Sequence, residues 1–207
     1  EIPYMLLITA VLLVMGMTGN EITFIEGVIL WILFIAYLLY LYFLAKKGND
    51  SGDEQSVKLY PVWKCLLFIV LGGVCVVIGS QLVVNGATTI ARACGMSERF
   101  IGLTIVAFGT SLPELVTSVS AVRKGNAGIA IGNIVGSNIF NILFVIGTVA
   151  LICPVPFESR FVIDTVVAIL CGVLLWGGTI RHKELRKPCG VVMLLCYAAY
   201  FVYLAAM

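Results

Sequence analysis

Long apolar blocks alternate with short polar breaks along almost the whole chain. The blocks run over about 3 to 18, 22 to 45, 62 to 91, 99 to 121, 128 to 152, 161 to 180 and 189 to 206. Each is close to the roughly 20 residues that cross a bilayer as helix. The pattern predicts an all-α, polytopic membrane protein with about seven transmembrane helices, because a spanning helix satisfies every backbone polar group internally. The short breaks carry turn chemistry: Thr18-Gly19-Asn20, Gly125-Asn126, and Pro154 with Pro156. The long break, residues 46 to 61, is polar and contains Gly48 and Gly52. It divides the chain into a two-helix piece, 1 to 45, a linker, 46 to 61, and a five-helix piece, 62 to 207.

Composition supports the same class. Of 207 residues, 61% are hydrophobic and 12% charged, against about 25% charged in an average soluble domain. The net charge of +2, from 13 basic and 11 acidic residues, leaves no basic surplus of the kind that binds nucleic acid. The seven cysteines form no Cys-x-x-Cys pair, so they read as small packing residues and not as disulfides or a zinc site. Threaded alternately through a membrane, the chain places Lys46, Lys47, Lys58, Lys64, Arg123, Lys124, Arg181, Lys183, Arg186 and Lys187 on one side, and Arg92, Arg99 and Arg160 on the other. By the positive-inside rule the 46 to 61 linker is then cytoplasmic. A bacterial inner membrane is the expected location. The opening apolar run lacks a basic flank and a small-residue cleavage site, and the chain starts at Glu1, which suggests a piece of a longer protein.

Two blocks differ from the rest in carrying polar groups at membrane depth. The fourth contains Gly109-Thr110-Ser111-Leu112-Pro113-Glu114. Glu114 falls far from Arg99 and Arg123, and an ionised carboxylate at mid-membrane costs about 2.5–3.5 kcal/mol on insertion scales. It should therefore face a partner, a cavity or a cation. Pro113 has no N–H and its ring clashes with the carbonyl four residues back, that of Gly109. Freed carbonyls within hydrocarbon are tolerated where they line a cavity, as in discontinuous transporter helices. Thr110 and Glu114 are one turn apart on a common face. The fifth block adds Asn133, Ser137 and Asn141 at four-residue intervals, with Asn138 off to the side. Thr110, Ser111, Glu114, Ser137 and Asn141 are oxygen ligands of the kind a hard cation such as Ca²⁺ takes. Gly132 and Gly136 form a small-xxx-small pair that would let two helices approach closely. Thr104, Thr117 and Ser118 are expected to hydrogen-bond back to their own helix. Asn133 and Asn138 are divided between ligation and helix-to-helix bonding. Glu26, Glu158, Asp164 and His182 are expected at interfaces.

The ordered pair Gly109-Thr-Ser-Leu-Pro-Glu114 and Gly132-Asn-Ile-Val-Gly-Ser-Asn-Ile-Phe-Asn141 closely resembles the second α-repeat of the sodium/calcium exchanger family. The resemblance covers about 62 to 206 well and 3 to 45 plausibly. It implies the carboxyl-terminal part of a ten-helix inverted-repeat exchanger fold, with 62 to 207 as the second inverted repeat. It further implies a secondary active antiporter, not an enzyme, with Na⁺ and Ca²⁺ as transported ions, no cofactor, and a missing N-terminal repeat as its partner. Glu114 would bridge Ca²⁺ and Na⁺ positions, while Thr110, Ser111, Ser137 and residue 141 would add oxygens. Position 141 is Asn, where many second repeats have Asp. With one Thr-Ser-Leu-Pro-Glu in the chain, a divalent ion is left with positive charge that a second carboxylate must balance.

Other readings are an H⁺-coupled or K⁺-dependent antiporter, a single-repeat protein paired with an inverted copy, and a non-transporting membrane scaffold subunit. An intramembrane protease built on Ser111 would need a base within the membrane, and the expected interfacial place of His182 speaks against it.

Overall fold

The computed structural model describes residues 1–48, 61–96, 98–180, 185 and 187–206. Most of the 46 to 61 linker, His182, and the basic residues Arg181, Lys183 and Arg186 lie outside these described residues. The helices are α1 (Ile2–Gly19), α2 (Phe24–Gly48), α3 (Val62–Ala93), α4 (Glu98–Ile101), α5 (Ala107–Thr110), α6 (Leu112–Arg123), α7 (Ala127–Phe140), α8 (Gly147–Ile152), α9 (Ser159–Ile180) and α10 (Lys187–Ala206). A first π turn, Gly102–Val106, joins α4 to α5, and a second, Asn141–Ile146, joins α7 to α8. Two short strands, β1 (Glu21–Ile22) and β2 (Val155–Pro156), pair antiparallel with Glu21 opposite Pro156.

Five described helical stretches have the length and apolarity to cross a membrane: Ile2–Gly19, Phe24–Lys47, Val62–Ala93, Ala127–Ile152 and Phe161–Ile180. The pair Thr104–Thr110 and Leu112–Arg123 makes a sixth if counted as one bent span. The seventh predicted block corresponds to α10, whose apolar described part, Lys187–Tyr203, is shorter. The protein is therefore all-α and polytopic, as the hydrophobic pattern predicts. At 32 residues, α3 is about 48 Å long by helical rise. That exceeds a roughly 30 Å hydrocarbon core, so α3 must tilt or protrude.

The chain forms two compact units, each assembled from distant segments: Glu1–Asp53 with Ile131–Cys196, and Glu54–Ala130 with Tyr197–Met207. In the first unit α1 packs on α9, and α2 packs on α8 and the second π turn. Met5, Ile8, Leu12, Leu30, Phe34, Val135, Ile139 and Leu143 are among its buried core side chains. Water is already absent around a spanning helix, so dispersion and close backbone approach hold such helices together. Glycine makes that approach possible: a Cβ on Gly27 would lie 3.0 Å from the Gly147 carbonyl oxygen, and one on Gly147 would lie 3.2 Å from Leu30 Cβ. Trp31, Phe34, Phe140 and Phe144 form an aromatic cluster beside this seam. Trp31 Nε1 donates to Thr148 Oγ1 at 3.2 Å, tying α2 to α8. At one end of the unit the Phe157 N–H donates to the Asn20 carbonyl at 2.8 Å, and Asn20 takes the left-handed conformation at φ 55°.

In the second unit α3 packs on α4, the first π turn, α5 and α6. The chain leaves α3 through Gly95 at φ +76°. The Gly95 N–H donates to Arg92 O and the Met96 N–H to Ala91 O, a Schellman closure that glycine permits without a Cβ penalty. The same motif ends α6 at Gly125, φ +81°, with Gly125 N–H on Val122 O and Asn126 N–H on Ala121 O. The predicted turn at Gly125-Asn126 is there for this reason.

Candidate functional site

Residues 109 to 114 form a break and not a continuous helix. The Ser111 N–H donates to Phe108 O at 3.1 Å, a tightened turn, and Ser111 sits at φ −92°, ψ 0°. The helix restarts with the Leu115 N–H on Ser111 O at 3.0 Å. Across the break the axes of Thr104–Thr110 and Leu112–Arg123 differ by 49°. Pro113 is the cause: lacking an N–H, it fits the first turn of α6 and cannot continue α5.

The break places Glu114 in the first turn of α6, where the positive end of the helix dipole favours a carboxylate or the approach of an anionic group. Glu114 is half-buried, and its Oε2 is enclosed. Ser111 is the N-cap and Glu114 follows three residues on, the spacing of a capping box. Ser111 nevertheless makes no side-chain cap hydrogen bond. Thr110 and Ser111 are exposed. Gly109 is buried against α3, where a Cβ would lie 1.9 Å from Val84 Cγ2. Thr110, Ser111 and Glu114 thus share one stretch of the second unit, positioned by the proline break and by contact with α3.

Ser137 and Asn141 belong to the first unit. They are one turn apart, Ser137 on α7 and Asn141 at the start of the second π turn. Ser137 Oγ approaches its own Ile134 O at 3.4 Å, and Asn141 is exposed. Asn138 Nδ2 donates to Ile134 O at 2.9 Å, so one of its two amide N–H groups is used on its own helix. Thr117 Oγ1 donates to Pro113 O and Glu114 O, each at 3.0 Å, the back-bonding expected of it. The expectation for Gly132 and Gly136 is different from what is found. Among the described residues a Cβ on either would meet nothing within 4 Å, whereas Gly16, Gly27, Gly109, Gly147, Gly172 and Gly178 each have a close neighbour.

The two π turns escape a reading based on periodicity, because each is about one turn long and is averaged over in a window of roughly 11–18 residues. Both occur in the helices that carry the polar motifs, and π turns are frequent at functional sites. Among the described residues no group of three or more His, Cys, Asp or Glu could hold a metal. The oxygen donors singled out above are one carboxylate, hydroxyls and an amide. In the first unit an apolar cleft of about 430 Å³, lined by Tyr4, Leu33, Tyr37 and Tyr40 among others, contains none of them.

The family model described as sodium/calcium exchanger protein matches residues 64–206. A putative antiporter, CaxA, of Alkalimonas amylolytica is 34% identical over 210 residues, covering 97% of this chain and 66% of the relative. The inner membrane protein YrbG of Escherichia coli is 32% identical, covering 93% of this chain and 62% of the relative. The structure of the sodium/calcium exchanger from Methanococcus jannaschii superposes with a TM-score of 0.78 at 31% identity, covering 97% of this chain and 63% of that one. The chain thus spans less than two thirds of the length of these relatives. With the family model covering most of the chain and the exchanger fold shared along nearly all of it, this protein belongs to the sodium/calcium exchanger protein family.

Proposed function

We propose that the chain is the carboxyl-terminal part of a secondary active antiporter that exchanges Na⁺ for Ca²⁺ by alternating access. The observation that carries this reading is the proline break that sets Glu114 at a helix start within an apolar span, in a member of the exchanger family. Glu114 is the charged ligand. Thr110, Ser111, Ser137 and Asn141 supply neutral oxygens, the donor types a hard cation takes when it sheds water. Na⁺ and Ca²⁺ compete for the same carboxylate, so the site empties of one before it fills with the other. No covalent step is involved. One carboxylate does not neutralise a divalent ion, and a charge left unbalanced in a low-dielectric interior is costly. The second carboxylate comes from a preceding repeat of the same protein, which the longer relatives have room for. Residues 62 to 207 act as the second inverted repeat, and the protein works in the cell membrane. Coupling to H⁺ would place the same carboxylate in a protonation cycle, and Na⁺-independent, pH-driven Ca²⁺ flux would identify it.

The test is Glu114→Gln in the full-length exchanger, reconstituted in vesicles and assayed by radiolabelled Ca²⁺ uptake driven by a Na⁺ gradient. The substitution keeps shape and removes charge. Uptake should collapse by about a hundredfold or more, as loss of a buried charged ligand predicts. Undiminished Na⁺-driven uptake would remove Glu114 from the site.

A further inference from the structure

Several helical Ser and Thr hydroxyls among the described residues share one arrangement. Ser80 donates to Val76 O, Thr89 to Asn85 O, Thr117 to Pro113 O, Thr165 to Phe161 O and Thr179 to Leu175 O. Each satisfies itself one turn back on its own helix, the usual arrangement in apolar surroundings. Thr88 on α3 departs from it. Its Oγ1 is enclosed and makes no hydrogen bond among the described residues. The local backbone is not the obstacle, because the neighbouring Thr89 back-bonds normally on the same helix. An enclosed hydroxyl without a partner costs free energy, so the group calls for a ligand.

Its position says which. Thr88 follows Val84 by four residues, one turn along the same face, and Val84 is the residue that meets Gly109 at the break. The chain reverses between Ala93 and Glu98, so moving from Val84 to Thr88 on α3 means moving from Gly109 toward the first π turn, Gly102–Val106. A π turn bonds five residues back and places its backbone oxygens differently from an α-helix, which is why such turns are frequent at functional sites. A hydroxyl lone pair beside backbone oxygens is a neutral donor set, which suits a monovalent cation better than a divalent one.

We propose that Thr88 Oγ1 is an oxygen ligand for Na⁺ beside the first π turn, a waypoint on the approach to the proline break. This rests on the antiport reading above. The experiment compares Thr88→Val, which keeps the shape and deletes the hydroxyl, with Thr88→Ser, which keeps the hydroxyl, in the full-length exchanger in vesicles. Thr88→Val should raise the half-saturating Na⁺ concentration about fivefold or more, with half-saturating Ca²⁺ and maximal flux within about twofold of the parent protein. Thr88→Ser should restore Na⁺ affinity to within about twofold. Should the valine variant elute as aggregate, Thr88→Ala is the second hydroxyl deletion. An unchanged Na⁺ half-saturation in the deletion variants overturns the proposal, as does a serine variant impaired as much as valine, which would assign the effect to the methyl group. Glu114→Gln run in parallel separates the two levels: lost flux there with a normal Thr88→Val leaves the antiport reading standing and removes Thr88 alone.

Discussion

Replacing Gly109 by Ala inserts one methyl group at the contact between α3 and the break. The added Cβ would lie 1.9 Å from Val84 Cγ2 and 3.3 Å from Val84 Cβ. A carbon pair needs about 3.5–4.0 Å, so the shortfall against Cγ2 is roughly 1.6–2.1 Å. Valine cannot fold its methyl away as a long side chain would, because β-branching leaves one strongly preferred χ1 in a helix. Either Val84 is forced off its rotamer or α3 moves away from α5. Overpacking of this kind costs about 1–3 kcal/mol, and here the displaced backbone is the one that carries Thr110, Ser111 and Glu114. The expected result for Gly109→Ala in the full-length protein is a lowered thermal-inactivation midpoint in detergent and Na⁺-driven Ca²⁺ flux reduced by about tenfold. Val84→Ala removes the clashing Cγ2, so the double variant Gly109→Ala with Val84→Ala should recover most of both losses, a coupling of about 1–3 kcal/mol between residues in contact. A Gly109→Ala protein with normal flux and stability, or a double variant whose losses simply add, would refute the packing argument.

Two further outcomes follow from the geometry. Gly147→Leu should destabilise the first unit by about 2 kcal/mol or more, read as a drop in the thermal-inactivation midpoint, because even a Cβ there lies 3.2 Å from Leu30 Cβ and 3.3 Å from Trp31 Cδ1. At the exposed end of α3, Arg92 Nε and Nη2 donate to Glu98 Oε1 and Oε2 at 2.6 and 2.9 Å, and this hydrogen-bonded guanidinium holds the Glu98 carboxyl below its ordinary value. Because the folded-state value is depressed, the pair is intact above the ordinary carboxylate range and is lost as pH falls through the lowered value. Glu98 should therefore titrate below an ordinary glutamate in a carboxyl-resolved NMR titration, and Arg92→Gln should return it to normal.

Much of the candidate site was legible in the residues themselves. A proline one position before a glutamate, inside an apolar block, forces both a helix break and a carboxylate at membrane depth, and Ser111 and Glu114 are placed by that local chemistry alone. The turn at Gly125 was legible for the same kind of reason, since a left-handed residue closing a helix is a local requirement. The Gly132 and Gly136 spacing names no partner, because a small-residue stripe says that a close neighbour is allowed and not which one fills it. Gly109 was read for its carbonyl and not for its missing Cβ, because the need for that absence comes from Val84, a residue about 25 positions away on another helix.

By itself the sequence determined the class of molecule, the approximate bounds of its apolar helices, the place of the break and the chemical types of the candidate oxygen donors. These depend on hydropathy, on proline's missing N–H and on the cost of a charge in hydrocarbon, all of which act within one helix. Tertiary structure decided which helices keep company: α1 and α2 close on α8 and α9, more than a hundred residues later in the chain, and α3 closes on the broken span that follows it. It also enclosed the Thr88 hydroxyl without a hydrogen-bond partner among the described residues. Apolar helix faces look alike to lipid and to one another, so the choice among partners is made by the shape of opposing surfaces, which hydropathy does not encode.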